Sequence, residues 1–180
     1  MKSINLSGGL GVALALSAAA TANPMVGGAA MYSTRNIVQN AVNSKDHTTL
    51  VAAVKAGGLV DTLSSKGPFT VFAPTDEAFA KLPSGTVENL VKPANKATLD
   101  KILTYHVVPG RITAQQIAAM ASKHGGTATL KTVEGENLRF MKSGNGWVVI
   151  DSKGGRSRIT IPNVMQSNGV IHVIDAVLMP

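Results

Sequence analysis

Cysteine is absent from the 180-residue chain, which excludes disulfides, thiolate metal sites and cysteine nucleophiles. Aromatic residues make up only 4% of the chain and include a single tryptophan, Trp147, so the sequence offers little for stacking against single-stranded nucleic acid. Acidic residues are also scarce, since 10 Asp and Glu face 17 Lys and Arg for a net charge of +7. This balance predicts a neutral or anionic partner that is not a nucleic acid.

The N-terminal apolar run, residues 10–20, is too short to span a membrane. Lys2 precedes this run, and the small residues Ala20-Thr21-Ala22 follow it, as in a signal-peptidase site. An alanine-rich leader that is not processed is the alternative. With no cysteine at the cut there is no lipid anchor, so we expect a secreted or periplasmic protein. The predicted division is a signal peptide over residues 1–22, a flexible lead-in over 23–31 and one domain over 32–180.

Sequence motifs of the common hydrolases and nucleotide-dependent enzymes are also missing, namely H-E-x-x-H, G-x-S-x-G, the P-loop and the dinucleotide fingerprint. Four histidines are present. His47 and His124 stand in polar, loop-like contexts, whereas His106 and His172 stand in apolar runs that favour a buried structural histidine. We therefore expect no enzymatic activity, no cofactor and no metal site, and a weak hydrolase remains only as a third alternative.

Residues 69–83 combine a buried strand with the start of a helix. The apolar run Phe69–Ala73 predicts the strand, which Pro74 ends by removing a backbone donor. Thr75 is a suitable N-cap, and the acidic Asp76 that follows suits the positive end of the helix dipole.

Helical periodicity dominates the rest of the chain up to residue 125, and strand alternation dominates after it. Predicted helix starts include Asp46, Ser84 and the capping box of Thr113 with Gln116, and Tyr105–Val108 is predicted to be a strand. Val170–Ile174 is apolar on both faces apart from His172, which predicts a central strand. Helices first and hairpins later indicate an α+β fold.

Three stretches together resemble the fasciclin domain family. Residues 69–83 are similar to its first signature box, Tyr105-His106 to its tyrosine–histidine motif, and Ser167–Pro180 to its closing box. The resemblance covers about residues 31–180 and implies a wedge or sandwich of about seven β-strands with several α-helices packed along one side. It also implies that the first and closing boxes lie side by side in the core.

The resemblance implies two candidate interaction segments. In animal members the tyrosine–histidine motif, flanked by branched aliphatic residues, is implicated in integrin adhesion; here Tyr105 and His106 either make such a contact or pack in the core. The segment Pro162-Asn163-Val164-Met165 corresponds to a second integrin-binding motif. Ile161 and Asn163 stand where that motif carries acidic residues, and this departure argues against integrin as the partner.

Polar residues within the apolar boxes are candidates for structural roles. We hypothesise that Asp76, His106 and Asn168 hold the boxes together. For Asp76 the expected state is a buried acid bonded to backbone and to a polar group of the closing box or the tyrosine–histidine strand, and the alternative is a metal or interaction carboxylate. The full set of structural motif residues is Thr75, Asp76, Asn168, Gly169 and His172.

A basic stretch runs through the predicted hairpins, where seven Lys and Arg between Lys123 and Arg158 outnumber Glu134, Glu136 and Asp151. It is either a patch for anionic polysaccharide, lipid headgroups or a partner protein, or the solvated face of a hairpin layer. The candidate contact residues are Lys131, Arg139, Lys142, Arg156 and Arg158.

The leading hypothesis is a monomeric, non-enzymatic protein that mediates cell adhesion or contact with the cell surface or extracellular matrix. Its expected partner is a cell-surface or matrix protein, or an anionic polysaccharide. The alternative is a binder of a lipophilic small molecule, because some fasciclin relatives hold a carotenoid in an apolar groove. Four methionines are candidates to line such a groove, namely Met120, Met141, Met165 and Met179.

Overall fold

The computed structural model describes residues 23–180, and the predicted signal peptide over residues 1–22 lies outside this described part. A 3₁₀ turn, Pro93–Asn95, precedes α6. The helices are α1 (Ile37–Ala41), α2 (Thr48–Ala56), α3 (Val60–Ser64), α4 (Asp76–Ala80), α5 (Thr86–Leu90), α6 (Lys96–Tyr105) and α7 (Ala114–Lys123). The strands are β1 (Met25–Val26), β2 (Ala29–Ala30), β3 (Phe69–Pro74), β4 (Val107–Pro109), β5 (Thr127–Lys131), β6 (Asn137–Ser143), β7 (Gly146–Ile150), β8 (Arg156–Gln166) and β9 (Gly169–Ile174).

Strands β3 to β9 form one seven-stranded mixed sheet in the order β4-β3-β9-β8-β7-β6-β5. The first and closing boxes supply β3 and β9, which pair in parallel at the centre with Phe69 opposite Gly169. A side chain on Gly169 would overlap the Phe69 carbonyl oxygen, so this close approach requires glycine. The sheet curls until its edges meet, where the Val133 N–H donates to the Val107 carbonyl over 2.8 Å. The predicted α+β class and strand number are confirmed.

Side-chain caps explain several helix starts. Asn36 with Gln39 and Thr113 with Gln116 form capping boxes before α1 and α7, and the Thr75 hydroxyl accepts the Ala78 N–H before α4. Two predicted caps were wrong by one residue. The residue that precedes α2 is His47 and the residue that precedes α5 is Gly85, and neither caps its helix through a side-chain hydrogen bond.

The central strands separate two hydrophobic clusters. Alternation along β3 places Val71 and Ala73 against α1–α3, and Phe72 against the opposite side, where α7 packs. We call the first cluster the helical core; it includes Met31, Ile37, Leu50, Val54, Leu63, Leu103, Val164 and Ile171. We call the second the sheet core; it includes Phe72, Tyr105, Ile117, Leu138, Phe140, Val149 and Ile174.

The segment predicted to be a flexible lead-in, residues 23–31, instead contains a hairpin in which Met25 pairs with Ala30 and Val26 with Ala29. Val26 and Met31 are buried in the helical core. Their burial anchors the hairpin, because each apolar side chain removed from water stabilises its position. Within residues 23–180, no helix is both long and apolar enough to cross a membrane.

Candidate functional site

Tyr105 and His106 lie at the end of α6, not in the strand predicted for them, and both are buried, with exposed fractions of 0% and 3%. The Tyr105 hydroxyl accepts the Ser152 N–H over 2.9 Å and donates to the Asn137 carbonyl over 3.2 Å. Burial raises the pKa of Tyr105. The pair therefore lies in the core, where it cannot touch a partner directly.

His106 links α6 to the closing box. Its Nδ1 donates to the Ile102 carbonyl over 2.8 Å, which leaves Nε2 as the acceptor for the Leu178 N–H over 2.9 Å. Complete burial lowers the pKa of His106 to about 4, so the ring is neutral at pH 7. His106 thus joins two of the family boxes, as hypothesised from the sequence.

Asp76 has a different partner from the one predicted. Its carboxylate accepts the Thr48 hydroxyl over 2.6 Å and the Thr49 N–H over 2.8 Å, so it caps the first turn of α2. Asp76 is only half-buried. Partial burial acts to raise the pKa of Asp76, but the hydrogen bonds from Thr48 and Thr49 leave it below its usual value. Asp76 therefore connects the first box to the N-terminal helices and does not contact the closing box.

Asn168 makes a similar connection from the closing box. Its side-chain oxygen accepts the Ile37 N–H over 3.0 Å, and its amide donates to the Leu63 and Ser65 carbonyls, each over 2.7 Å. These three bonds satisfy backbone groups at the start of α1 and the end of α3. Asn168 therefore holds the N-terminal helices to the sheet.

His172 and Asn163 form a third polar connection. His172 Nε2 donates to the Ile112 carbonyl over 2.8 Å and Nδ1 accepts the Asn163 N–H over 3.1 Å, while burial lowers the pKa of the ring. Asn163 adopts a φ of 56° at an irregularity in β8, and its side chain accepts the Ala114 N–H at the start of α7 over 2.8 Å. In the predicted interaction segment, Val164 is buried, Met165 is half-buried and Pro162 is exposed.

The predicted basic residues divide between the two faces of the hairpin strands. The register places Thr129, Arg139, Ile150 and Arg156 in one row across β5–β8, and Arg158 lies opposite Val148 in the next row. Lys131, Arg139, Arg156 and Arg158 are all exposed on this side of the sheet. We call these four residues the cationic face.

Lys142 does not belong to the cationic face. It pairs with Trp147 and has the same parity along β6 as the buried Phe140, so its side chain leaves the sheet on the opposite side. Of the five candidate contact residues of the basic stretch, Lys142 is thus separated from the other four by the sheet. Helix α7 packs on that opposite side through Ile117 and Ala121, which leaves the cationic face open to solvent.

An apolar cavity of about 50 Å³ lies in the helical core. Its walls come from the N-terminal hairpin, α1–α3 and the central strands, and they include Val26, Met31, Ile37, Leu50, Val54 and Ile171. None of the four methionines predicted to line a groove contributes to this cavity. The methionine that lines the cavity is Met31, in the segment predicted to be flexible. Apolar walls of this kind accept an apolar group more readily than water.

His47, predicted to lie in a polar loop, is buried beside this cavity with an exposed fraction of 3%. Its Nδ1 bonds to the Ser44 hydroxyl over 2.8 Å, and burial lowers its pKa. The helix itself was predicted, but His47 directly precedes it and lies three residues before the buried Leu50, which places His47 on the buried face of α2. Within residues 23–180, no group of three or more His, Asp or Glu side chains could hold a metal ion.

Comparisons with known proteins agree with this geometry. A family model described as the fasciclin domain matches residues 45–180. Protein sll1483 of Synechocystis is 48% identical over 158 residues, covering 87% of this chain and 79% of the relative, and the immunogenic protein MPT70 of Mycobacterium tuberculosis is 33% identical over 189 residues, covering 94% and 89%.

A solved structure of a FAS1 domain pair from the insect cell adhesion molecule fasciclin I has the same fold. Its TM-score is 0.72 at 21% sequence identity, and the match covers 81% of this chain and 51% of that one. The chain therefore spans about half the length of that structure. On the family model, the relatives and the pairing of the two signature boxes, the chain belongs to the fasciclin domain family.

Proposed function

We propose that the protein is an exported, non-enzymatic adhesion module that contacts the cell surface or extracellular matrix through the cationic face. The observation that carries this proposal is the alignment of Lys131, Arg139, Arg156 and Arg158 on one exposed side of the sheet. A concentrated charge of one sign attracts an anionic partner over roughly one Debye length, about 10 Å at 0.1 M salt.

The positions of the other candidate groups support a binding role. His106 and His172 each use both ring nitrogens in hydrogen bonds to backbone, so both have structural partners. The Tyr105 hydroxyl likewise donates one hydrogen bond to backbone and accepts another. The cationic face, by contrast, is exposed, and the solved structure that shares this fold comes from a cell adhesion molecule.

The test is an attachment assay with cells of the protein's own host. Surfaces coated with purified protein should retain several times more cells than surfaces coated with albumin, and a deletion strain should attach less than its parent. Raising the salt from 0.1 to 0.5 M should reduce attachment, because screening shortens the reach of surface charges. Attachment equal to that on albumin, with an unaffected deletion strain, would remove the adhesion role.

The cavity in the helical core favours a second candidate function, the binding of a lipophilic small molecule. A volume of about 50 Å³ accommodates only a small apolar group, given that one water occupies about 30 Å³ in the liquid. A carotenoid would therefore require the N-terminal hairpin and α1–α3 to move outward. An absorbance spectrum and mass spectrometry of a solvent extract, taken on protein purified from its host, would reveal a bound ligand at near-stoichiometric amount. An empty protein would favour the adhesion role.

A further inference from the structure

We infer that the cationic face is a binding site for a linear anionic polysaccharide, whose sulfate or carboxylate groups contact its four cations in series. This inference rests on the proposed adhesion function and names the chemistry of its partner.

The four cations follow a diagonal across the strands. Arg139 and Arg156 lie in the same row two strands apart, Lys131 lies two residues to one side of that row, and Arg158 lies two residues to the other. With about 4.8 Å between strands and about 3.4 Å per residue, the backbone positions from Lys131 to Arg158 span about 20 Å. A small anion can touch one or two of these residues, whereas an extended polymer can contact all four.

Ile150 is a buried apolar residue on the side of the sheet that carries the cationic face. It lies between Arg139 and Arg156 in the cross-strand register, and it is only 6% exposed although it packs in neither of the two cores. The aliphatic stems of the flanking arginines can account for this burial, since such side chains cover apolar surface and keep their charged ends in water. Guanidinium groups held in this way lose less conformational freedom when they bind.

The acids nearest to the cationic face already have partners. Glu134 and Glu136 lie 3.7 and 4.0 Å from the Lys101 ammonium. The Asp175 carboxylate accepts the backbone N–H of Arg158 over 2.7 Å and the Ser157 hydroxyl over 3.4 Å. Within residues 23–180, the recorded ion pairs involve Lys96 and Lys101 and none involves the cationic face. The guanidinium groups are therefore available for bidentate bonds to sulfate or carboxylate.

Other anionic partners fit this surface less well. Met141, with an exposed fraction of 44%, and the half-buried Val148 are the neighbouring apolar side chains on this side of the sheet. A membrane surface site needs a broader apolar face with aromatic anchors. Single-stranded nucleic acid needs aromatic side chains for base stacking, and Trp147 pairs with Lys142 on the opposite side.

The test compares two variants with the same change in net charge. The face variant carries Arg139→Gln, Arg156→Gln and Arg158→Gln, and the control carries Lys45→Gln, Lys66→Gln and Lys92→Gln, three exposed lysines outside β5–β8. Binding to heparin, polygalacturonate and neutral dextran is measured at 0.1 M salt. The thermal midpoint of each variant is measured first, and a face variant that melts early is replaced by the three single substitutions.

We expect the protein to bind heparin or polygalacturonate but not dextran, with affinity that increases from disaccharide to decasaccharide. The face variant should lose about 100-fold in affinity, about fivefold for each arginine, and the control should lose less than about threefold. Arg139→Lys should retain more affinity than Arg139→Gln, because it keeps the charge but loses the bidentate geometry.

Equal losses in the two triple variants would overturn the inference in favour of diffuse net charge. Binding to vesicles of anionic phospholipid but to neither polysaccharide would overturn it in favour of a lipid surface. If the polysaccharides do not bind but coated surfaces still retain cells, the adhesion role stands and its partner is different. If they bind but cells do not attach, the site stands and the adhesion role fails.

Discussion

The helical core and the sheet core lie on opposite sides of the same central strands and are built differently. In the sheet core, Phe72 packs against Phe140 with ring centroids 5.2 Å apart and against His172 at 5.5 Å. The helical core consists mainly of aliphatic side chains, and the apolar cavity lies within it. Its walls come partly from α1 and α3, which have five residues each.

The two cores differ in how their surrounding elements are held in place. Helices as short as α1 and α3 are stable only through their packing, and here the hydrogen bonds of Asn168 fix the positions of both. Asp76 fixes the start of α2 in the same way. The sheet core is instead enclosed by a curled sheet with continuous backbone hydrogen bonds. We therefore expect movement to be easier in the helical core than in the sheet core that lies beneath the cationic face.

The largest expected effect compares the same substitution in the two cores. Leu138→Ala, at a fully buried site in the sheet core, should lower the free energy of unfolding by about 4 kcal/mol, whereas Leu50→Ala beside the cavity should cost about 2 to 3 kcal/mol. Leu50 is 8% exposed and faces an existing gap, so it loses fewer contacts. Urea unfolding of both variants measures the difference. Equal or reversed costs would contradict the contrast between the cores.

The second prediction concerns acid and His106, which lines the cavity and holds Leu178. Its pKa is about 4 when folded, against 6.5 when unfolded. Between those values the unfolded chain binds more protons than the folded chain. The free energy of unfolding is therefore at its full value above pH 6.5 and decreases as the pH falls towards 4. Protonation of His106 in the unfolded chain accounts for a loss of about 3 kcal/mol in the free energy of unfolding at the acid end of this range. Asp151 is the charged group whose attraction opposes the shift.

Urea unfolding at pH 4.5, 5.5, 6.5 and 7.5 checks this prediction in the protein and in His106→Gln. The variant should be less stable at pH 7 and should show a shallower loss between pH 6.5 and 4. His47 and His172 also have pKa values lowered by burial, but they contribute to both proteins, so the difference between the two curves isolates His106. Parallel curves would show that His106 does not titrate as described.

The smallest expected effect concerns Asp76. Asp76→Ala removes the cap of α2 and should lower the free energy of unfolding by about 1 kcal/mol. Thr75→Ala removes the cap of α4 and should lower the free energy of unfolding by a similar amount, so it serves as the matched control. Hydrogen exchange should reveal faster opening of α2 in Asp76→Ala and of α4 in Thr75→Ala. An unchanged thermal midpoint in Asp76→Ala would show that the contacts with Thr48 and Thr49 are not stabilising.

The central strands of the fold could be predicted from the sequence because their signals are strong and local. Val170–Ile174 is apolar on both faces, and it forms β9 between two neighbours. Tyr105 was misassigned because a short apolar run buried on every side does not distinguish the end of a helix from a strand. The N-terminal hairpin was missed because strands of two residues have no periodicity.

The candidate site could be predicted only in part. Alternation along each strand identified exposed basic residues, but the row that joins Arg139 to Arg156 depends on the register of three strands. The sequence of a single strand does not determine how that strand is aligned with its neighbours. The alternation of side chains along β6 places Lys142 on the opposite side of the sheet from this row. The polar character of Asp76 and Asn168 indicated a structural role for both residues. Their bonding partners could not be identified from the sequence, because these partners lie in helices distant along the chain.

Binding of a polysaccharide to the cationic face is tested most directly by amide chemical-shift mapping, with a size-defined heparin oligosaccharide added to the isotope-labelled protein. We expect shifts concentrated in β5–β8, with the largest at Lys131, Arg139, Arg156, Arg158 and Ile150, and unchanged amides in α1–α3. Shifts centred on the residues around the cavity, or spread evenly over the surface lysines, would contradict it.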